Sequence, residues 1–240
     1  MENRDTRKRN LMRAAILSLG VCIFMMGASG CMNRNSTADR MVAYMNEKYD
    51  DHFEYAAPFG GGPGAVSKQI IVTSEKFPKA QVWVECYEKD GREVFADNYV
   101  SYKYEEQTRA ALYRLMEDAF HCEAAVFYGV GPKGTANDFT EDTTFAEYSS
   151  SIKADIGFQA CVLRKTSEDD ADSLKSDLKK AVESVGLTVF GTIYFTDDPG
   201  ILDDFSKLPL KKLDSLDQIH FDMDGPNSFR QLEWRMGNGR

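Results

Sequence analysis

Residues 81–120 read QVWVECYEKDGREVFADNYVSYKYEEQTRAALYRLMEDAF, and this stretch decides the fold class. Gln81–Glu88 alternates, with Val82, Val84 and Cys86 on one face and Trp83, Glu85 and Tyr87 on the other, the two-residue period of a strand. Asp90-Gly91 is a tight hairpin turn, because both residues tolerate the positive φ such turns require. Glu93–Tyr99 then returns antiparallel. The period changes to helical over Tyr102–Phe120, where Thr108, Ala111, Leu112, Leu115, Met116, Ala119 and Phe120 form one stripe. Glu105 and Glu106 suit the positive end of that helix. Hairpin strands feeding a long amphipathic helix predict an α+β fold, a mainly antiparallel sheet with amphipathic helices packed on one face.

The flanking sequence extends this pattern. A helix is expected over Ala38–Tyr49, with Ser36 and Thr37 as candidate caps. Phe53 and Tyr55 predict a short strand, Pro58–Gly64 a flexible loop, and Ile70–Thr73 another strand. Ala124–Val130 reads as a strand, Gly131–Thr143 as a polar loop and Thr144–Ser151 as a short helix. Gly157–Arg164, Glu168–Val185 and Leu187–Thr196 predict strand, helix and strand, with Ser167 at the helix start and Gly186 at its end. From Asp197 the tail is acidic and reads as irregular, apart from a strand at Gln218–Asp222 and a segment Ser228–Met236 pinned by Trp234.

The amino terminus is expected to be an address. Arg4, Arg7, Lys8, Arg9 and Arg13 precede the uncharged run Ala14–Ala28, whose 15 residues fall short of the ~20 that a spanning helix needs. Gly27-Ala28-Ser29-Gly30-Cys31 follows. Ala28-Ser29-Gly30-Cys31 resembles the lipobox of bacterial lipoproteins, although Ala28 stands where that family usually has Leu. The resemblance implies that residues 1–30 are a signal peptide, cut before Cys31, and that Cys31 carries a diacylglycerol. Residues 31–37 would then be the lipidated cysteine and a short linker of about 20 Å at most. Residues 38–240 would form the extracytoplasmic domain, with similar strand–helix–strand halves at about 38–131 and 144–240. The alternatives are an uncleaved anchor over Ala14–Asn33 and plain secretion; each also puts the domain outside the cytoplasmic membrane.

Two further motifs carry a second resemblance. Tyr44, Met45, Lys48, Tyr49 and Phe53 form one, and Asp97, Asn98, Tyr99 and Tyr104 the other. Both resemble uncharacterised lipoproteins of low-GC Gram-positive bacteria over the first half of the mature chain. That family has no established activity, so the resemblance implies a location and no chemistry.

Composition narrows the function classes. Of 240 residues, 38 are Asp or Glu and 29 Lys or Arg, a net charge of −9 and a pI near 5.0. Losing residues 1–30 would remove five basic and two acidic side chains and leave −12. With no basic cluster beyond Arg13, phosphate-led nucleic-acid binding is excluded, and membrane attachment would depend on the lipid at Cys31. The remaining 210 residues are few for a two-lobed solute-binding protein. Cys86, Cys122 and Cys161 are odd in number and lack a C-x-x-C spacing, so they read as packed free thiols.

The candidate chemistry is sparse. His121-Cys122 are adjacent at a helix end and form no nucleophile–base pair, and no G-x-S-x-G or S-x-x-K is present. Asp222-Met223-Asp224-Gly225 begins like a calcium loop and ends in Glu233, but Pro226 and the early glycine break the pattern, so it reads as a turn. Gly60–Gly64 lacks the Lys-Ser/Thr of a phosphate loop. Neither a cofactor nor a metal is expected. What remains is an aromatic surface: Trp83 and Tyr87 share a strand face and are the candidate binding residues. The chain is therefore expected to be a membrane-anchored, non-enzymatic binding domain, meeting an envelope protein or wall component. The alternative is an envelope hydrolase that uses acidic residues.

Overall fold

The computed structural model describes residues 36–60, 65–131, 135–136 and 139–238. The expected signal peptide, Cys31 and most of the linker lie outside them. The fold is α+β, built on two five-stranded sheets instead of the single sheet expected. Sheet membership is set by pairings distant in sequence, which local patterns do not encode.

Helix α1 (Thr37–Lys48) opens with a reciprocal cap between Ser36 and Asp39. Its Asn46 amide then bonds both the N–H and the C=O of Phe53, at 3.0 Å each, and fixes the entry into the first strand. The first sheet runs β1 (Phe53–Gly60), β2 (Ser67–Ser74), β3 (Val82–Lys89), β4 (Arg92–Asp97) and the two-residue β6 (Thr135–Ala136), in the order β1-β2-β3-β4-β6 with all pairs antiparallel. At the β3–β4 turn, Asp90 and Gly91 have φ of 54° and 72°, as the hairpin signature predicts. Pro58, placed in a loop by the sequence reading, lies within β1. An edge strand bears a missing N–H, and two bulges accommodate it.

The predicted helix Tyr102–Phe120 is two helices, α2 (Tyr99–Lys103) and α3 (Glu105–Phe120). They break at Tyr104, which leaves helical geometry at φ −110°, ψ 11°, while its hydroxyl donates to the Thr143 carbonyl. His121, at φ 52°, ends α3. Within the segment read as a polar loop, β6 adds to β4.

The second sheet comprises β5 (Ala124–Tyr128), β7 (Ile156–Leu163), β8 (Val189–Thr196), β9 (Asp217–Gly225) and β10 (Ser228–Arg235), in the order β10-β9-β8-β7-β5. Only β7 and β8 pair in parallel, as expected when a crossover helix, α5 (Ala171–Val185), joins them. Helix α5 ends on Gly186 at φ 71°. Between β6 and β7, α4 (Phe145–Ser150) is capped by Thr144 and Glu147.

The tail is more regular than expected. Helices α6 (Pro199–Asp204) and α7 (Leu210–Leu213) precede the β9–β10 hairpin, and the Asp222–Gly225 motif is the end of β9. Buried Asp217 accepts from Thr166 Oγ1 (2.9 Å) and Gly237 N (3.0 Å) and so ties down the chain end. Trp234 packs on Phe195, the pin expected of it.

One contiguous core joins α1, the inner faces of both sheets and the buried stripes of α3 and α5. A smaller cluster of Cys161, Tyr194, Ile201, Phe205 and Leu213 sits behind the second sheet, where α6 and α7 cover part of its outer face. Among the described residues no helix is long and apolar enough to cross a membrane.

Candidate functional site

The two sequence motifs meet in space at Asp97, at the end of β4. This carboxylate is 1% exposed. Its Oδ2 accepts from Lys48 Nζ at 2.7 Å and Tyr44 OH at 2.9 Å. Its Oδ1 accepts from Tyr49 OH at 2.8 Å and the Tyr99 amide at 3.0 Å. Lys48 Nζ also donates to Tyr44 OH at 2.7 Å and lies 5.0 Å from the centroids of both the Tyr44 and Tyr49 rings. The four-residue spacing of Tyr44 and Lys48 puts both on one side of α1, facing β4. A buried charge pair of this kind persists only when its remaining polar sites are satisfied.

The neighbouring residues lock the same corner. The Tyr99 ring lies 4.4 Å from Tyr49 and 5.2 Å from Phe53, between centroids. Asn98 accepts from Trp83 N at 2.8 Å and donates to Gly131 O at 2.9 Å. Burial, and then the Asp97 charge, push the Tyr44 and Tyr49 hydroxyls far above their ordinary pKa. They stay protonated donors at any physiological pH. Asp51 is pushed up by burial, but the Ser74 hydroxyl (2.5 Å) and the His52 and Lys76 amides outweigh this and hold it below the usual carboxylate range. The arrangement is a structural knot of charge and tyrosine.

The candidate residues Trp83 and Tyr87 occupy the opposite face of the first sheet. Val82, Val84 and Cys86 point to the core, with α1 against them. Trp83, Glu85 and Tyr87 are half-buried and point the other way. The register brings Ile71 and Val94 beside them, and Phe59, 48% exposed, packs directly on the Trp83 ring. Among the described residues no helix packs extensively on this face.

No family model matches the chain, and no curated protein matches it. Among solved structures, it is similar to a DUF5037 family protein from Ruminococcus gnavus at 11% identity. The likeness covers 82% of this chain and 95% of that one, with a TM-score of 0.36, too low to carry an argument.

The other sequence candidates fall apart in space. His121 and Cys122 border a cleft of about 510 Å³ with Tyr113 and Glu117, but the Cys122 thiol donates to the Phe120 carbonyl and not to the imidazole. Cys86, Cys122 and Cys161 are free thiols, and burial pushes Cys161 up to about 12. Among the described residues no three His, Cys, Asp or Glu side chains gather as a metal site. Sequence reasoning missed a cleft on the outer face of the second sheet. Its residues Phe127, Gln159, Phe190, Thr192 and His220 line a volume of about 420 Å³. The available sign was parity: each sits at a strand position alternate to the core residues.

Proposed function

We propose that this chain is a lipid-anchored, extracytoplasmic binding domain of the cell envelope. Cys31 is its attachment residue, and the outward face around Trp83 and Tyr87 is the surface that meets a partner protein. The observation that carries the binding surface is a half-buried aromatic row, with Phe59 and Ile71 alongside, on a sheet face no described helix covers. Such a face offers apolar area with Trp and Tyr, the residues enriched at protein interfaces. The anchor is supported by the basic, uncharged and small-residue sequence before Cys31. Because α1 begins at Thr37, the tether of about 20 Å keeps the domain close to the bilayer.

Among the described residues, the carboxylates with a displaced pKa give the hydrolase alternative no support. Asp51, Glu147, Asp170, Asp172 and Glu233 are displaced from their ordinary pKa, and all move downward. A general acid working near neutral pH requires an upward displacement.

Two measurements test the reading. The mass of the N-terminal peptide from membrane fractions should show a diacylglyceryl Cys31, and Cys31→Ser should release the chain or leave it uncleaved. A peptide that retains residues 14–30 in the wild type would replace the lipid with a spanning anchor. For the surface, a photo-crosslinking residue in place of Tyr87 should capture one envelope protein in intact cells, while the same residue at Lys179, exposed on α5, should not. Equal capture at both positions refutes the surface.

A further inference from the structure

The cleft on the second sheet has a definite chemical character. Four strands place Phe127, Gln159, Thr192 and His220 in one cross-strand row, each in register with the next. At ~4.8 Å per strand the row is about 14 Å long. Phe190 flanks it, in register with Gly157. A Cβ at position 157 would meet Phe190 Cζ at 2.6 Å, so the absent side chain lets the ring lie over the sheet. Phe127 and Phe190 are 52% and 38% exposed, unusually open for phenylalanines on neighbouring parts of one concave surface. Between them the floor is polar. Thr192 Oγ1 and His220 Nδ1 bond at 3.1 Å, and Glu233 stands in register beside His220 on the next strand, outside the cleft lining. The half-buried Gln159 amide has no hydrogen-bond partner among the described residues. No Asp, Glu, Lys or Arg lines the cleft.

We infer that this cleft binds a neutral glycan, about two pyranose units long, with sugar faces against Phe127 and Phe190 and hydroxyls on Gln159, Thr192 and His220. The uncharged lining, on a chain of net charge −9, gives no counter-charge to a phosphate or carboxylate ligand. A lipid tail would cover the amide, hydroxyl and imidazole without replacing their hydrogen bonds with water, at a cost of kcal/mol each. An extended peptide would pair along the free edge of β5, whereas the cleft lies on the flat face that β5, β7, β8 and β9 share. A pyranose ring combines an apolar C–H face with a rim of donors and acceptors, which matches both walls and floor. The inference rests on the reading of the chain as a binding domain, but on neither the anchor nor the Trp83 face.

The test uses the full chain, purified in a detergent without a sugar headgroup and titrated calorimetrically with cellotetraose and with the β-1,4-linked N-acetylglucosamine tetramer. At least one tetrasaccharide should bind saturably, with little change when salt is raised, since a neutral ligand feels no screening. Phe127→Ala and Phe190→Ala should each weaken binding tenfold or more, Gln159→Ala severalfold, and Lys179→Ala, exposed on α5, not at all. The inference is overturned if neither sugar binds at about 5 mM, a concentration that detects affinities near −4 kcal/mol. It is equally overturned if binding collapses with salt, or survives both phenylalanine variants. Cross-linking at Tyr87 reads the other surface separately, so either site can fail alone.

Discussion

Replacing Lys48 with Met tests whether the Asp97 knot holds the first sheet to α1. The ion pair is 2.7 Å long, and its side chains are 11% and 2% exposed. At an effective dielectric near 20, two charges at that distance attract by about 6 kcal/mol, most of it offset by their desolvation. Methionine fills the volume but leaves Asp97 buried as an uncompensated anion. Removing one partner of a buried pair costs about 3–5 kcal/mol. The hydroxyls of Tyr44 and Tyr49 and the Tyr99 amide still donate to the carboxylate, so the lower end, about 3 kcal/mol, is expected. For a chain of this size that corresponds to a fall of about 6–12 °C in Tm. Urea unfolding followed by tryptophan fluorescence measures it, with Trp83 reporting on the first sheet and Trp234 on the second. The double variant Lys48→Met/Asp97→Asn should recover about 2 kcal/mol, because the amide oxygen still accepts and no buried charge remains. A loss below about 1 kcal/mol for Lys48→Met, the value of a surface pair, refutes the reasoning. So does a double variant no more stable than the single one.

Gly191→Ala should destabilise by about 1–3 kcal/mol, because the new Cβ strikes the Phe158 carbonyl oxygen of the paired strand; an unchanged urea midpoint would contradict the register described. Iodoacetamide at pH 8 should modify half-exposed Cys122 first and Cys161 only after unfolding, since burial raises the Cys161 pKa to about 12 and suppresses the thiolate. Peptide masses showing equal rates would disprove it. Asp51 has a folded pKa below its ordinary value, so its contribution is present above about pH 4 and is lost as pH falls through the folded pKa. Asp51→Asn should therefore flatten the acid limb of the stability–pH curve, and parallel wild-type and variant curves would rule this out.

Where structure is decided locally, the sequence was legible. The Asp90-Gly91 turn, the Ser36 cap, the Gly186 stop and the strand–helix–strand over 156–196 all lie within three residues of expectation. The misreadings have non-local causes. The proline- and glycine-rich run Pro58–Gly64 reads as loop, and nothing nearby shows that Pro58 lies on an edge strand, where proline is tolerated. The division into two sheets depends on β5 leaving its neighbours in sequence to pair with β7. In β10 the register shifts between Phe229 and Gln231, so Phe229 and Leu232, on the same side, are three apart. A bulge of this kind erases the two-residue period by which a strand is recognised.

Geometry at Asp97 suits the two motifs to holding the fold together. A carboxylate offers about four acceptor positions, and Asp97 has at least four donors on it. A base needs a free lone pair facing substrate, and Asp97, at 1% exposure, faces none. Tyr44 and Tyr49 are pushed too far upward to exchange a proton near neutrality. Side chains held this tightly can set the angle between α1 and the first sheet, and they can do little else. Both proposed recognition surfaces use residues outside the knot: the outward parity of β3, with Trp83 and Tyr87, and the outward parity of β5, β7, β8 and β9. On those positions burial is partial and aromatic rings remain open. That exposure costs the fold apolar area it could have hidden, and the proposed ligand or partner would recover it.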